Sequence, residues 1–116
     1  DDAGLLAALR RITAKAPGHV PAQVALAQLA LADKNFAEAE RIAKSLQAIP
    51  DAAAAGNELA GDIAQARGDG AAARGAYARA LERQPNAARL LKLERSERAA
   101  GQSSNRLVDW LAKHPD

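Results

Sequence analysis

The chain has 116 residues, enough for one modest domain, and a formal charge of +2 with acids and bases interspersed. Its 48% apolar content includes only 3% aromatics and 32 alanines, so the core must be thin and built largely from methyl groups. No cysteine is present, which excludes disulfides and thiolate metal sites. No apolar run approaches the roughly 18 residues of a membrane span, and no basic stripe interleaved with aromatics points to nucleic acid.

Valine, isoleucine and threonine are sparse and nothing alternates with period two, so an all-helical fold is expected. In chain order the pattern predicts a helix over about 3–15, a pair over 21–32 and 36–47, and a second pair over 52–67 and 71–83. A third pair is predicted over 87–100 and 104–113, giving about seven helices. Pro21 suits a first helical turn. The turns "ADKN", "RGDG" and "AGQSS" are short and polar, which makes the joined helices antiparallel neighbours.

A repeat near 34 residues runs through these elements. Leu5, Ala39, Ala73 and Leu107 fall in register, as do Leu9, Ala43, Tyr77 and Leu111, and Ala8, Ile42, Ala76 and Trp110. Asn35, Asp69 and Ser103 share a position suited to capping helix N-termini, and Glu38 follows Asn35 as in a capping box. Pro17, Pro50, Pro85 and Pro115 close the units. This is the period of a helix–turn–helix solenoid.

The residues resemble the tetratricopeptide repeat family. Ala73, Tyr77, Ala80 and Pro85 match its second-helix pattern, with Gly61 at the small position of the first helix; Leu26, Ala27, Phe36 and Ala39 match in the preceding unit. The resemblance implies a right-handed superhelical solenoid. It is divided into 1–19 (the second helix of a preceding repeat), 20–52, 53–86 and a shortened repeat over 87–116. The chain does not begin with Met and is expected to be a fragment of a longer repeat protein. Ala73 and Gly61 should let two helices approach closely, while Tyr77 and Leu81 reach the next repeat. The third repeat departs from the pattern: Arg95 holds its small position, so either this helix is rotated or the register slips by one residue at "AAGQ".

The resemblance also implies a concave groove lined by the first helices. Its positions here are Pro21, Val24, Gln28 and Leu31, then Ala55, Glu58, Asp62 and Gln65, then Arg89, Lys92, Ser96 and Ala99. Such a groove is apolar at one end, acidic in the middle and basic at the other, and should take a protein or peptide partner. Relatives that clamp a terminal carboxylate use Lys and Asn where Val24 and Gln28 stand here, so that ligand is not expected.

The remaining candidates read as structure. Glu58 and Asp62 lie four apart on one helix face, but lack a third ligand for a metal. His19 and His114 read as turn residues, Trp110 as core, and "GDG" at 68–70 as a helix end followed by a cap, not a phosphate loop. No cofactor, metal site or catalytic constellation is expected, so the chain is read as a non-enzyme.

The repeats look most like those of lipoproteins associated with bacterial exopolysaccharide export and PEP-CTERM sorting. That likeness implies a periplasmic parent, possibly tethered to a membrane by lipid. The alternatives are a periplasmic scaffold of a cellulose-type polysaccharide secretion protein and a cytoplasmic assembly chaperone. The apolar face of the first helix, with Leu5, Leu9 and Ile12, is expected to be partly uncovered and to favour weak self-association.

Overall fold

The computed structural model describes residues 2–99, Gly101, Ala112 and Lys113. Six α-helices follow one another: α1 (Asp2–Lys15), α2 (Val20–Ala32), α3 (Phe36–Gln47), α4 (Ala53–Ala66), α5 (Gly70–Arg83) and α6 (Ala87–Ala99). No strand occurs among the described residues, as the composition requires. Of the helix expected over 104–113, only Ala112 and Lys113 are described, and both are helical. The expected positions of Ser103, Leu107, Trp110 and His114 lie outside the described residues.

Helix starts are fixed by the anticipated caps. Asn35 Oδ1 accepts from the Glu38 amide at 3.4 Å, and Asp69 Oδ1 from the Ala72 amide at 3.1 Å. Two further caps were not anticipated. His19 Nδ1 accepts from the Ala22 amide at 3.1 Å to open α2, and Asn86 Oδ1 from the Arg89 amide at 2.8 Å to open α6. Pro50 does more than close a unit. It opens a short 3-10 turn, Pro50–Ala52, that leads into α4.

The turns carry the period into the backbone. Lys34 (φ 61°) and Gly68 (φ 81°) both adopt the left-handed conformation, 34 residues apart, and each amide donates to the carbonyl three residues back. The third left-handed residue is Gly101 (φ 77°), only 33 residues after Gly68, with the same backbone bond, to Arg98. The turn after α6 therefore arrives one residue early, at the "AAGQ" stretch.

Each helix packs on the next, and α2 also touches α4. Gly56 of α4 faces Ala43 and Gln47 of α3, while Arg67 just past α4 bonds Glu40 of α3 at 2.7 Å. Contacts that climb one helix while descending the other make α3 and α4 antiparallel. Small residues set the spacing. Ala27, Ala39, Gly61 and Ala73, the matched small positions of two successive pairs, are all buried. A Cβ on Gly56 would lie 2.6 Å from the Gln47 backbone nitrogen, so α3 and α4 nearly touch there. Only a few large side chains fill what is left, led by Ile42, Leu46, Leu90 and Leu93. The molecule measures 43 × 29 × 26 Å, with a radius of gyration of 15.0 Å. A compact chain of this length would be near about 13 Å.

On α1, Leu9 is buried and Leu6 packs beside it, but Leu5 and Ile12 remain 50% and 43% exposed. One side of the helix is covered by α2, and the other presents this apolar pair.

Candidate functional site

The densest polar constellation lies where α4, α5 and α6 meet. Glu58 and Asp62 are one turn apart on α4 and are expected to share a face. Lys92 of α6 sits between them, its Nζ 2.8 Å from Glu58 Oε2 and 3.1 Å from Asp62 Oδ2. Arg89 Nε donates to Glu58 Oε1 at 3.0 Å, and its Nη1 reaches the Gln84 carbonyl, also at 3.0 Å. Tyr77 of α5 donates from its hydroxyl to Asp62 Oδ1 at 2.7 Å. Two carboxylates and two cations thus neutralise one another.

Local sequence explains each placement. Asp62 and Tyr77 lie at equal distances either side of the α4–α5 turn, so an antiparallel pair brings them opposite each other. Glu58 and Lys92 are 34 residues apart and occupy the same register position in successive first helices. Arg89 is set by the Asn86 cap, and Gln84 is held extended (φ −149°, ψ 92°) by Pro85 after it. Opposite charges one period apart were a readable signal for this cluster.

Sequence reasoning therefore located these residues on one surface but misjudged their state. The acidic middle and basic end of the expected groove are bonded to each other. Arg89 keeps 11% of its side chain exposed, Asp62 21%, Glu58 27% and Lys92 34%.

Burial lifts the Tyr77 phenol far above its ordinary value of 10.0, and the hydrogen bond to Asp62 and the charges of Asp62 and Glu58 add to this. Burial alone would lower the Lys92 ammonium, but its bonds to Glu58 and Asp62 outweigh that, and it titrates above its ordinary 10.5. Both groups hold their protons more tightly folded than unfolded. Their contributions are therefore complete below about pH 10 and are lost as pH rises through the folded values. We expect constant stability from pH 8 to 9.5 and a progressive fall above pH 10 in urea titrations. Tyr77→Phe should flatten that fall; an unchanged alkaline slope in the variant would disprove the Tyr77 assignment.

Beside the cluster lies an open depression of about 360 Å³, bordered by Gln65, Tyr77, Lys92, Arg95, Ser96 and Ala99. It brings together the expected groove residues Gln65, Lys92, Ser96 and Ala99. The Ser96 hydroxyl is buried and has no hydrogen-bond partner among the described residues. Arg95 is exposed, and the helix expected to pack on its small position lies outside the described residues. Val24 and Leu31 are half-buried against the core of the first pair, Gln28 is exposed, and none of the three joins the charged cluster.

Among the described residues, no three His, Asp or Glu side chains converge as a metal site requires, and no helix is long and apolar enough to cross a membrane. No protein-family model matches the chain, and neither does any curated protein or solved structure.

Proposed function

We propose that this chain is a tetratricopeptide-type repeat scaffold that binds a protein or peptide partner along the surface of its first helices. The observation that carries this reading is the translation of one unit onto the next. Residues 34 apart meet across α4 and α6, where Glu58 bonds Lys92, and the turns at Lys34 and Gly68 have the same backbone geometry. Stacking of like units supports a solenoid, and solenoids expose an extended surface suited to peptides.

Within that surface the charged cluster is mainly structural, because each of its groups is already bonded inside the chain. Contacts to a partner fall instead to Val24, Gln28, Leu31 and Gln65, and to the depression at Ser96. The chain is read as non-catalytic and without a cofactor. The apolar pair on α1 is where self-association would occur.

Peptides selected from a displayed random library on the immobilised chain test the reading. Val24→Arg and Gln65→Arg should each weaken the selected peptides at least about tenfold, the loss of roughly 1.4 kcal/mol of contact. Arg79→Ala on α5 should not. Failure to select any peptide, or binding indifferent to Val24 and Gln65, would refute the groove. Glu58 and Asp62 are poor probes, since reversing them also breaks the bonds to Lys92 and Tyr77.

At a finer level, the likeness of the repeats places the parent protein in bacterial exopolysaccharide export, as a periplasmic lipoprotein of the PEP-CTERM sorting type. The full-length parent sequence tests this: a signal peptide with a lipid-accepting cysteine supports it. A C-terminal β-barrel supports the cellulose-type secretion scaffold, and neither feature supports a cytoplasmic chaperone.

A further inference from the structure

The unpaired positive charge of the chain lies on the helices that the groove leaves out. By sequence, α1, α3 and α5 carry eight Lys or Arg against four Asp or Glu, whereas α2, α4 and α6 carry four of each. On α3 the acids are engaged: Glu38 with Arg10 and Asn35, Glu40 with Arg67. Arg41 and Lys44 are exposed and have no ion-pair partner among the described residues. Arg11 and Lys15 on α1 are in the same state.

The helix α3 forms a ridge between two clefts. One, of about 590 Å³, separates it from α1; Arg10 and Thr13 line one wall, Arg41, Ser45 and Ile49 the other, and Leu26 lies at its base. The other, of about 270 Å³, separates α3 from α5; Lys44 and Gln47 face Ala72, over Ala43 and Ile63. The two clefts are related by the repeat. Arg10 and Lys44 are 34 residues apart, as are Thr13 and Gln47, Leu26 and Ala60, and Glu38 and Ala72.

We propose that this ridge is a second docking surface, and that it takes an acidic polypeptide segment whose carboxylates are spaced by aliphatic residues. The carboxylates meet Arg41 on one slope and Lys44 on the other, and the aliphatic side chains enter the clefts over Leu26 and Ile63. A nucleic acid fits this surface poorly, because stacking needs open aromatic faces. Phe36 is covered by the Arg67 guanidinium, 4.9 Å from its ring centroid, and Tyr77 is buried. The proposal rests on charge and shape on α1, α3 and α5, independently of the first-helix groove.

Fluorescence anisotropy with a labelled peptide of repeated Glu-Leu-Asp-Gly units tests it, with a Lys-Leu-Lys-Gly peptide, oligo-dT and phosphatidylglycerol vesicles as competing probes. Saturable binding of the acidic peptide at 50 mM NaCl is expected, weaker at 300 mM because the contacts are exposed. Arg41→Glu with Lys44→Glu should weaken it at least about tenfold, as reversal of two facing charges does. Arg95→Glu with Arg98→Glu, the same change in net charge on α6, should leave it within about twofold. If melting shows that the reversed ridge is unfolded, Arg41→Ala with Lys44→Ala gives the same comparison with less perturbation. Equal loss from the α6 variant, tighter binding of oligo-dT or vesicles, or no binding at 50 mM NaCl would each overturn the proposal.

Discussion

Tyr77→Ala should be the most damaging single substitution among the described residues. Tyr77 is 6% exposed and forms a core cluster with Ala73 and Leu93, so its ring ties α5 to α6. Its hydroxyl also donates to Asp62, and alanine would leave that carboxylate one donor short beside a void. Removal of a buried aromatic side chain costs about 3–5 kcal/mol. In a domain this small that corresponds to a fall of roughly 10–20 °C in Tm. Tyr77→Phe separates the two parts: it keeps the ring and should cost only about 1–2 kcal/mol, the worth of one hydrogen bond to a charged group. If the two variants melt together, the ring is not packed as described, and the α5–α6 contact is wrong.

Gly61→Leu is the second large effect, and its sign is the informative part. On an exposed helix the change would stabilise by up to roughly 1 kcal/mol, because glycine is a poor helix former. Here a Cβ would lie 2.4 Å from Tyr77 Cε1 and 2.5 Å from Cδ1, closer than van der Waals contact permits. The ring cannot easily withdraw, since its hydroxyl is anchored to Asp62 and its other side meets Leu93. Overpacking of this kind costs about 1–3 kcal/mol. A double-mutant cycle makes the cause explicit. In a Tyr77→Ala background the clash partner is gone, so Gly61→Ala should change from destabilising to neutral or stabilising. A loss of stability that persists in that background would show that something other than the ring fills the space. Gly56 is a harsher version of the same constraint, because there the nearest atoms belong to the α3 backbone, which cannot rotate away.

The two α4 glycines show how differently such positions read. Gly61 was legible because it falls on a repeat position shared with Ala27, whereas Gly56 sits in a run of alanines with no periodic partner of its own. Its role is decided only when α3 is placed against α4. The α6 helix adds a third case. Its polar sequence around Arg95 left rotation and a slipped register as alternatives, and the early left-handed turn at Gly101 locates a one-residue slip in the backbone.

The sequence by itself determined the all-helical class, the helix limits and the 34-residue period. These follow from local causes: caps at Asn35 and Asp69, prolines that cannot continue a helix, and apolar spacing near 3.6 residues. It also placed Glu58, Asp62, Arg89 and Lys92 on first helices. What it left open was whether those charges face solvent or one another. That depends on the distance between α4 and α6, which is set by small side chains far away in sequence, Gly56, Gly61 and Ala73 among them. Only the tertiary structure brings the helices close enough for Lys92 to reach both carboxylates, and so turns an expected binding strip into an internal bond, leaving the unpaired cations on α3.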